Sequence, residues 1–145
     1  MAYHNNPRIV TDGLVLCIDA NCKRSYPGTG SIWYNLVDSN YDFTNNGATY
    51  NSAGYFDFDG TNDRMDMSGS NRVVYSTSEA WTHEVVIDPG SSGIATNWNA
   101  IFGDYLNNGG YWMFHSGQLT WYDAIISGSG RLWYTGLDLG TDIPY

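Results

Sequence analysis

Four side chains with oxygen atoms that a hard cation prefers lie close together in the middle of the chain. They are Asp57, Asp59, Asn62 and Asp63. No glutamate follows at the spacing that closes an EF-hand loop, and no helical pattern flanks the segment. Asp-Gly and Asn-Asp pairs are also typical of tight turns, in which such side chains bond to the nearby backbone. The sequence therefore leaves two interpretations open, a calcium site and a turn.

Catalytic groups at a workable spacing are not found. Glu84 and Asp88 share one face of a predicted strand, but four residues along a strand span about 13 Å. Glycoside hydrolysis requires carboxyl groups closer than about 10 Å. The histidines His4, His83 and His115 are not at metal-ligand spacing. Neither a Gly-x-Ser-x-Gly sequence nor a phosphate-binding glycine loop occurs, so we predict that the protein is not an enzyme.

Aromatic residues beside amides indicate a possible sugar-binding surface. Trp98 is flanked by Asn97 and Asn99, while Tyr105 and Tyr111 flank an Asn-Asn-Gly-Gly turn. Such aromatics can stack on sugar rings, with the amides as hydrogen-bond partners. Alternatively, they fill the core or pack against a neighbouring subunit. Both interpretations stay open at the level of sequence.

Charge narrows the range of partners. The chain has 145 residues and a formal net charge of −9, with six basic and 15 acidic residues. Binding to nucleic acid requires clustered Lys and Arg, so we predict no nucleic-acid partner. No apolar run reaches transmembrane length, and the N-terminus has no apolar signal core, so we predict no membrane partner. Cys17 and Cys22 are five residues apart, so a local disulfide requires the chain to fold back sharply. This spacing favours free thiols, but the sequence leaves both states open.

The elements that position these residues are predicted to be strands. Seventeen glycines and the scarcity of Lys and Glu leave little from which to build amphipathic helices. Residues 55–67 read as a hairpin with Phe56, Phe58, Met65 and Met67 on its buried face. His83 lies on the apolar face of its predicted strand, which favours a hydrogen-bonded core histidine over a catalytic base. The other predicted strands cover 14–19, 48–51, 81–87, 100–104, 110–115, 118–122 and 133–137.

Residues 55–67 resemble the F-x-F-D-G-x-x-D signature of concanavalin A-like, or laminin-G-like, jelly-roll domains of phage and other viral structural proteins. Residues 7–20, from Pro-Arg-Ile-Val-Thr-Asp-Gly to Asp-Ala, are similar to the opening of that family, and 25–34 continue the likeness. Residues 81–89 resemble a later strand of the family. The resemblance implies an antiparallel two-sheet jelly-roll sandwich, formed by one domain over 9–145 after a polar arm at 1–8.

The same resemblance implies a function on the surface of a virion. We expect a non-enzymatic structural protein, a capsid decoration or a tail or fibre subunit, whose partners are other virion proteins and copies of itself. A carbohydrate-binding adhesion module with glycans as partners is the alternative. No cofactor is expected, although related domains bind calcium at loop aspartates. The family usually continues beyond the position of 137–145. This leaves three interpretations open: a shortened sandwich, a fragment of a longer protein, or a sheet that another chain completes.

Overall fold

The computed structural model describes residues 10–67, 80–88, 99–103, 110–116, 118–123 and 131–138. These residues form an all-β structure with antiparallel strand pairs, and a three-residue 3-10 helix at Ser39–Tyr41 is the one helical element among them. The strands in chain order are β1 (Ile32–Trp33), β2 (Phe43–Asn46), β3 (Thr49–Asn51), β4 (Tyr55–Asp57), β5 (Arg64–Met67), β6 (Asn99–Gly103), β7 (Gly110–His115), β8 (Gln118–Asp123) and β9 (Arg131–Asp138). The predicted all-β, antiparallel class is thereby confirmed. None of the described segments is a helix long and apolar enough to cross a membrane.

The chain divides into two compact units, Met1–Val73 and Val74–Tyr145. The first contains a three-stranded sheet of order β1-β2-β5 and a separate β3-β4 hairpin. The second contains a four-stranded sheet of order β6-β7-β8-β9. A single domain over 9–145 stays a prediction, and the predicted arm at 1–8 lies outside the described residues.

The predicted hairpin at 55–67 is wrong in its pairing. Its first arm, β4, pairs with β3, while its second arm, β5, pairs with β2. The reason is a shorter turn after β3, where the side chain and the carbonyl of Asn51 accept hydrogen bonds from Ala53 and Gly54 at 2.9 Å each. The predicted alternation is kept in β5, where Met65 and Met67 are the less exposed residues. Phe58, by contrast, is exposed.

The predicted strand at 14–19 does not form, and most hydrogen bonds that its backbone makes to other parts of the chain involve side chains. One backbone bond accompanies them, from the amide of Leu36 to the carbonyl of Cys17 at 2.9 Å. The amide of Cys17 donates to Asn35 Oδ1 at 2.8 Å, and Asn35 Nδ2 donates to the carbonyl of Val15 at 3.0 Å. The amide of Asp19 donates to Ser25 Oγ at 3.0 Å. An apolar run predicted this strand, but buried polar side chains from elsewhere in the chain satisfy the segment instead.

The turn at Gly54 provides a direct test of the β3-β4 connection. Gly54 has a φ of +94°, and a Cβ at this position would lie 2.7 Å from side-chain atoms of Asn21. We expect Gly54→Ala to lower the free energy of unfolding by about 2 kcal/mol, because the left-handed backbone and the contact with Asn21 both oppose a side chain. Chemical denaturation of the purified variant measures this loss.

Gly30 is the matched control, because its φ is also +94° but a Cβ there would meet nothing within 4 Å. Gly30→Ala therefore carries the backbone strain alone, about 1 kcal/mol. Equal losses in the two variants would contradict the assigned contact between Gly54 and Asn21.

Four of the five strands predicted in the second unit are present. The predicted strands at 100–104, 110–115, 118–122 and 133–137 correspond to β6, β7, β8 and β9. β7 and β8 meet at a turn in which Ser116 has a φ of +53°, and the pairing begins with His115 opposite Gln118. The register of β7 with β8 is continuous, whereas the pairings of β6 with β7 and of β8 with β9 each contain a shift, between Ala100 and Phe102 and between Gln118 and Thr120.

The predicted strand at 81–87 is wrong, since residues 80–88 form no strand. The segment instead attaches through side chains. His83 packs against Phe102 of β6 and accepts a hydrogen bond from Trp112 of β7, and Trp81 packs against Trp121 of β8. These contacts reach three consecutive strands, so the segment crosses a face of the sheet instead of extending an edge.

Each unit has its own buried residues. In the first, the buried side chains are Ala20, Ser25, Tyr26, Asn35, Phe43 and Ala48. In the second, Met113 and Thr120 are fully buried and lie opposite each other on β7 and β8. Cys17 and Cys22 are free thiols.

Candidate functional site

The candidate calcium ligands form a turn. Asp59 Oδ1 accepts a hydrogen bond from the amide of Thr61 at 2.8 Å, and Asp63 Oδ2 accepts one from the amide of Asp59 at 2.9 Å. Asp57 and Asn62 are exposed. Within the described part of the chain, no three His, Cys, Asp or Glu side chains are grouped so that they could hold a metal ion. The contacts present are those of the turn interpretation, and the calcium site stays an untested prediction.

Most of the candidate sugar-binding residues lie outside the described residues. This holds for Asn97, Trp98 and Tyr105. The backbone of Asn99 begins β6 and that of Tyr111 lies in β7, opposite Gly103. The structure does not bring the five residues together as a described site, so this surface also stays a prediction.

A different aromatic cluster occupies one face of the second unit. In the strand register, Phe102 lies opposite Trp112, and Trp112 lies opposite Trp121. Residues paired in this way have side chains on the same face of a sheet. Trp81 and His83 complete the cluster from residues 80–88, with ring centroids 4.7 Å apart. We refer to these five residues as the aromatic cluster.

The rings of the aromatic cluster are in mutual contact. Trp112 and Trp121 have centroids 5.3 Å apart, and Trp81 lies 5.1 Å from Trp121. His83 meets Phe102 edge-on at 5.2 Å. Tilted and edge-on pairs at such distances are favourable arrangements for aromatic side chains. Because the contacts span three strands and the 80–88 segment, they bind that segment to the sheet.

One hydrogen bond gives the cluster a defined orientation. Trp112 Nε1–H donates to His83 Nδ1 at 3.1 Å. The contact requires a neutral imidazole, since Nδ1 must carry a lone pair to accept the proton. Burial lowers the pKa of His83 from its ordinary value of 6.5 by penalising the charged form. His83 is therefore the hydrogen-bonded histidine that its sequence position indicated, and it is neutral at pH 7.

The segment that carries Trp81 and His83 also exposes apolar side chains to solvent. These are Val85, Val86 and Ile87, and all three are exposed, Val86 to 95%. Glu84 and Asp88 on either side are also exposed. An acidic protein that presents three consecutive aliphatic residues has an apolar patch of the kind that marks contact sites.

The aromatic cluster was not predicted from the sequence, although one signal for it was present. The predicted strands at 110–115 and 118–122 leave a two-residue connection at 116–117. Trp112 and Trp121 are equally distant from it, and a two-residue turn places such positions opposite each other. The contact of Trp81 and His83 with these two rings had no local signal. It depends on how residues 80–88 cross the sheet.

Comparison with protein-family models, with characterised proteins and with solved structures finds no match for this chain.

Proposed function

We propose that this chain is a non-enzymatic structural subunit of a virion, a capsid decoration or a tail or fibre component, with a jelly-roll sandwich fold. Antiparallel strands support the fold assignment, and the resemblance of residues 55–67 and 7–20 supports the viral setting. The subunit would act by packing against copies of itself and against other virion proteins. It would therefore function at the surface of the particle.

The observation that carries this proposal is the exposed apolar run of Val85, Val86 and Ile87. Burying an aliphatic side chain contributes roughly 1.5–3 kcal/mol, so a surface with three of them gains free energy when it is covered. Interfaces between identical subunits are richer in apolar residues than the remaining protein surface. A symmetric assembly would cover this run once in every copy.

The charge of the protein makes the expected contact dependent on salt. With a net charge of −9, two copies repel each other over distances comparable to the Debye length. Apolar burial is not weakened by salt, whereas the repulsion is screened. Association should therefore increase between low and physiological ionic strength.

We expect the purified chain to form a folded oligomer, and Val86→Asp to dissociate it to monomers. A carboxylate at the most exposed position of the run would be desolvated in the contact without a partner, which weakens association at least about tenfold. Light scattering coupled to size-exclusion chromatography, at two salt concentrations, measures the mass. Circular dichroism verifies that the variant is folded.

Val10→Asp is the control, because Val10 is also a highly exposed valine but lies in the first unit. Its oligomer should have the mass of the wild type. A wild-type chain that is monomeric at both salt concentrations, or an unchanged mass in Val86→Asp, would refute the proposed contact. Mass spectrometry of purified virus particles tests the virion setting separately.

A further inference from the structure

His83 connects the exposed apolar run to the four-stranded sheet. It lies two residues before Val85, and its Nδ1 atom accepts the indole proton of Trp112 at 3.1 Å. The rings of Trp81 and Phe102 contact it at 4.7 and 5.2 Å. The position of the run therefore depends on an imidazole whose hydrogen-bonding capacity changes with protonation.

Protonation reverses the chemistry of this contact. A proton added to His83 Nδ1 converts the acceptor into a second N–H donor, which then faces the indole N–H of Trp112. The hydrogen bond is lost, and two donors are brought together. The new charge also lies in a half-buried, largely aromatic site, where water screens it poorly.

We propose that the contact between Trp112 and His83 is a pH-sensitive latch, which holds residues 80–88 on the sheet at neutral pH and releases them on protonation, so that the subunit contact at 85–87 is lost in acid. The latch stands on the described geometry alone. Its effect on assembly rests on the proposed function.

The direction of the pH dependence follows from the pKa of His83. Burial lowers this pKa in the latched state, while the released imidazole returns to an ordinary pKa near 6.5. Between those two values the released state binds more protons than the latched state. The latch is therefore fully stable above about pH 6.5 and weakens as the pH falls toward the lower pKa.

Among the described residues, no other ionisable group near His83 reverses the direction of this pH dependence. On its own segment, Glu84 and Asp88 are exposed, and water screens them. β6 carries no ionisable residue. His115 of β7 is three positions from Trp112, which places it on the opposite face. β8 carries Tyr122, adjacent to Trp121 and hence on the other face, and Asp123 at its end.

The latch itself is tested by a nuclear magnetic resonance titration in steps from about pH 7.5 to about pH 5, a range that spans ordinary histidine titration. The indole Nε1–H resonance of Trp112 should shift with the same midpoint as the His83 ring, below about pH 6.5. In acid, amide hydrogen exchange over 80–88 should be at least about threefold faster than in His83→Gln at the same pH. His83→Gln is neutral over this range and should show no indole shift.

His115→Gln is the matched control and should keep the wild-type response, because His115 lies on the other face of β7. An indole signal that is unchanged by pH overturns the latch, and so does a response that persists in His83→Gln. If His83→Gln does not fold, the wild-type titration decides, since different midpoints for His83 and the Trp112 indole also overturn it.

Light scattering over the same pH range tests the consequence for assembly. A mass that falls with the midpoint of His83 supports the link between the latch and the subunit contact. A latch that opens while the mass stays that of the oligomer overturns this link and leaves the proposed subunit role intact. A chain that is monomeric at neutral pH refutes the subunit contact, and the resonance data still decide on the latch.

Discussion

Replacement of Asn35 by Asp is expected to lower the free energy of unfolding by more than about 3 kcal/mol. The reason is that the side-chain nitrogen of Asn35 donates hydrogen bonds while its side-chain oxygen accepts others. Asn35 is 7% exposed. Its Nδ2 donates to the carbonyls of Val15 and Asp38 at 3.0 and 3.1 Å, while its Oδ1 accepts from the amides of Cys17 and Val37 at 2.8 and 3.2 Å. A carboxylate would place negative oxygen against two carbonyl oxygens.

The Asn35 amide also attaches residues 14–19 to the rest of the first unit, together with Ser25 Oγ and the backbone of Leu36. With the two donors removed, the carbonyl of Val15 loses its partner, and the segment has no strand neighbour to provide another. Domain stability is only about 5–15 kcal/mol in total, so a loss of this size can unfold the first unit at moderate temperature. Hydrogen exchange at the amide of Cys17 should become faster before global unfolding.

The attachment of residues 14–19 by Asn35 must be separated from a general effect of removing an amide. Denaturant unfolding is therefore measured for three variants, Asn35→Asp, Asn35→Ala and Asn62→Ala. Asn62 is an exposed turn residue, and its replacement should change stability by less than about 0.5 kcal/mol. Asn35→Ala should be strongly destabilising without the repulsion of a carboxylate. Stability of Asn35→Asp within about 1 kcal/mol of the wild type would show that the amide does not hold the segment.

Replacement of Tyr26 by Ala is the second large effect, with an expected loss of about 3–5 kcal/mol. Tyr26 is 3% exposed, and its ring contacts Tyr50 and Phe56 at centroid distances of 4.7 and 4.8 Å. Trp33 extends the group through Phe56 at 4.9 Å. Removing this buried ring leaves a cavity beside aromatic side chains of different strands. The expected loss therefore includes both the transfer free energy of the removed ring and the free energy of the cavity.

Two further variants serve as controls. Tyr26→Phe separates the contribution of the ring from that of the hydroxyl, and Tyr55→Ala removes an exposed ring. The hydroxyl donates to the carbonyl of Gly30 at 2.8 Å, so Tyr26→Phe should cost only about 1 kcal/mol. Tyr55 is 47% exposed, and Tyr55→Ala should cost less than about 1 kcal/mol. Thermal or denaturant unfolding ranks the three. Similar losses for Tyr26→Ala and Tyr55→Ala would mean that the aromatic group is not the core of the first unit.

Agreement between the sequence prediction and the structure is best where contacts are local. The predicted strands at 110–115 and 118–122 agree with β7 and β8, because a two-residue connection brings neighbouring residues into register. The same holds for the alternation of Met65 and Met67 in β5. In each case the information lies within a few residues of the element.

Agreement is lost where the partner is distant in sequence. Residues 14–19 and 81–87 have the apolar patterns of strands, yet neither is one. The first is bound by Asn35, about twenty residues away, and the second by Trp112, about thirty residues away. An apolar pattern indicates that one side of a segment is buried. It does not indicate which groups form hydrogen bonds with the backbone of that segment.

The sequence by itself determined the all-β class and the antiparallel meander of the second unit, since these follow from composition and from short-range patterns. Only the tertiary structure decided that the two arms at 55–67 join different sheets. It also decided that His83 meets Trp112 and that Val86 faces solvent. Side-chain contacts between distant segments depend on how elements cross, and a one-dimensional pattern of apolar and polar residues is the same for many crossings.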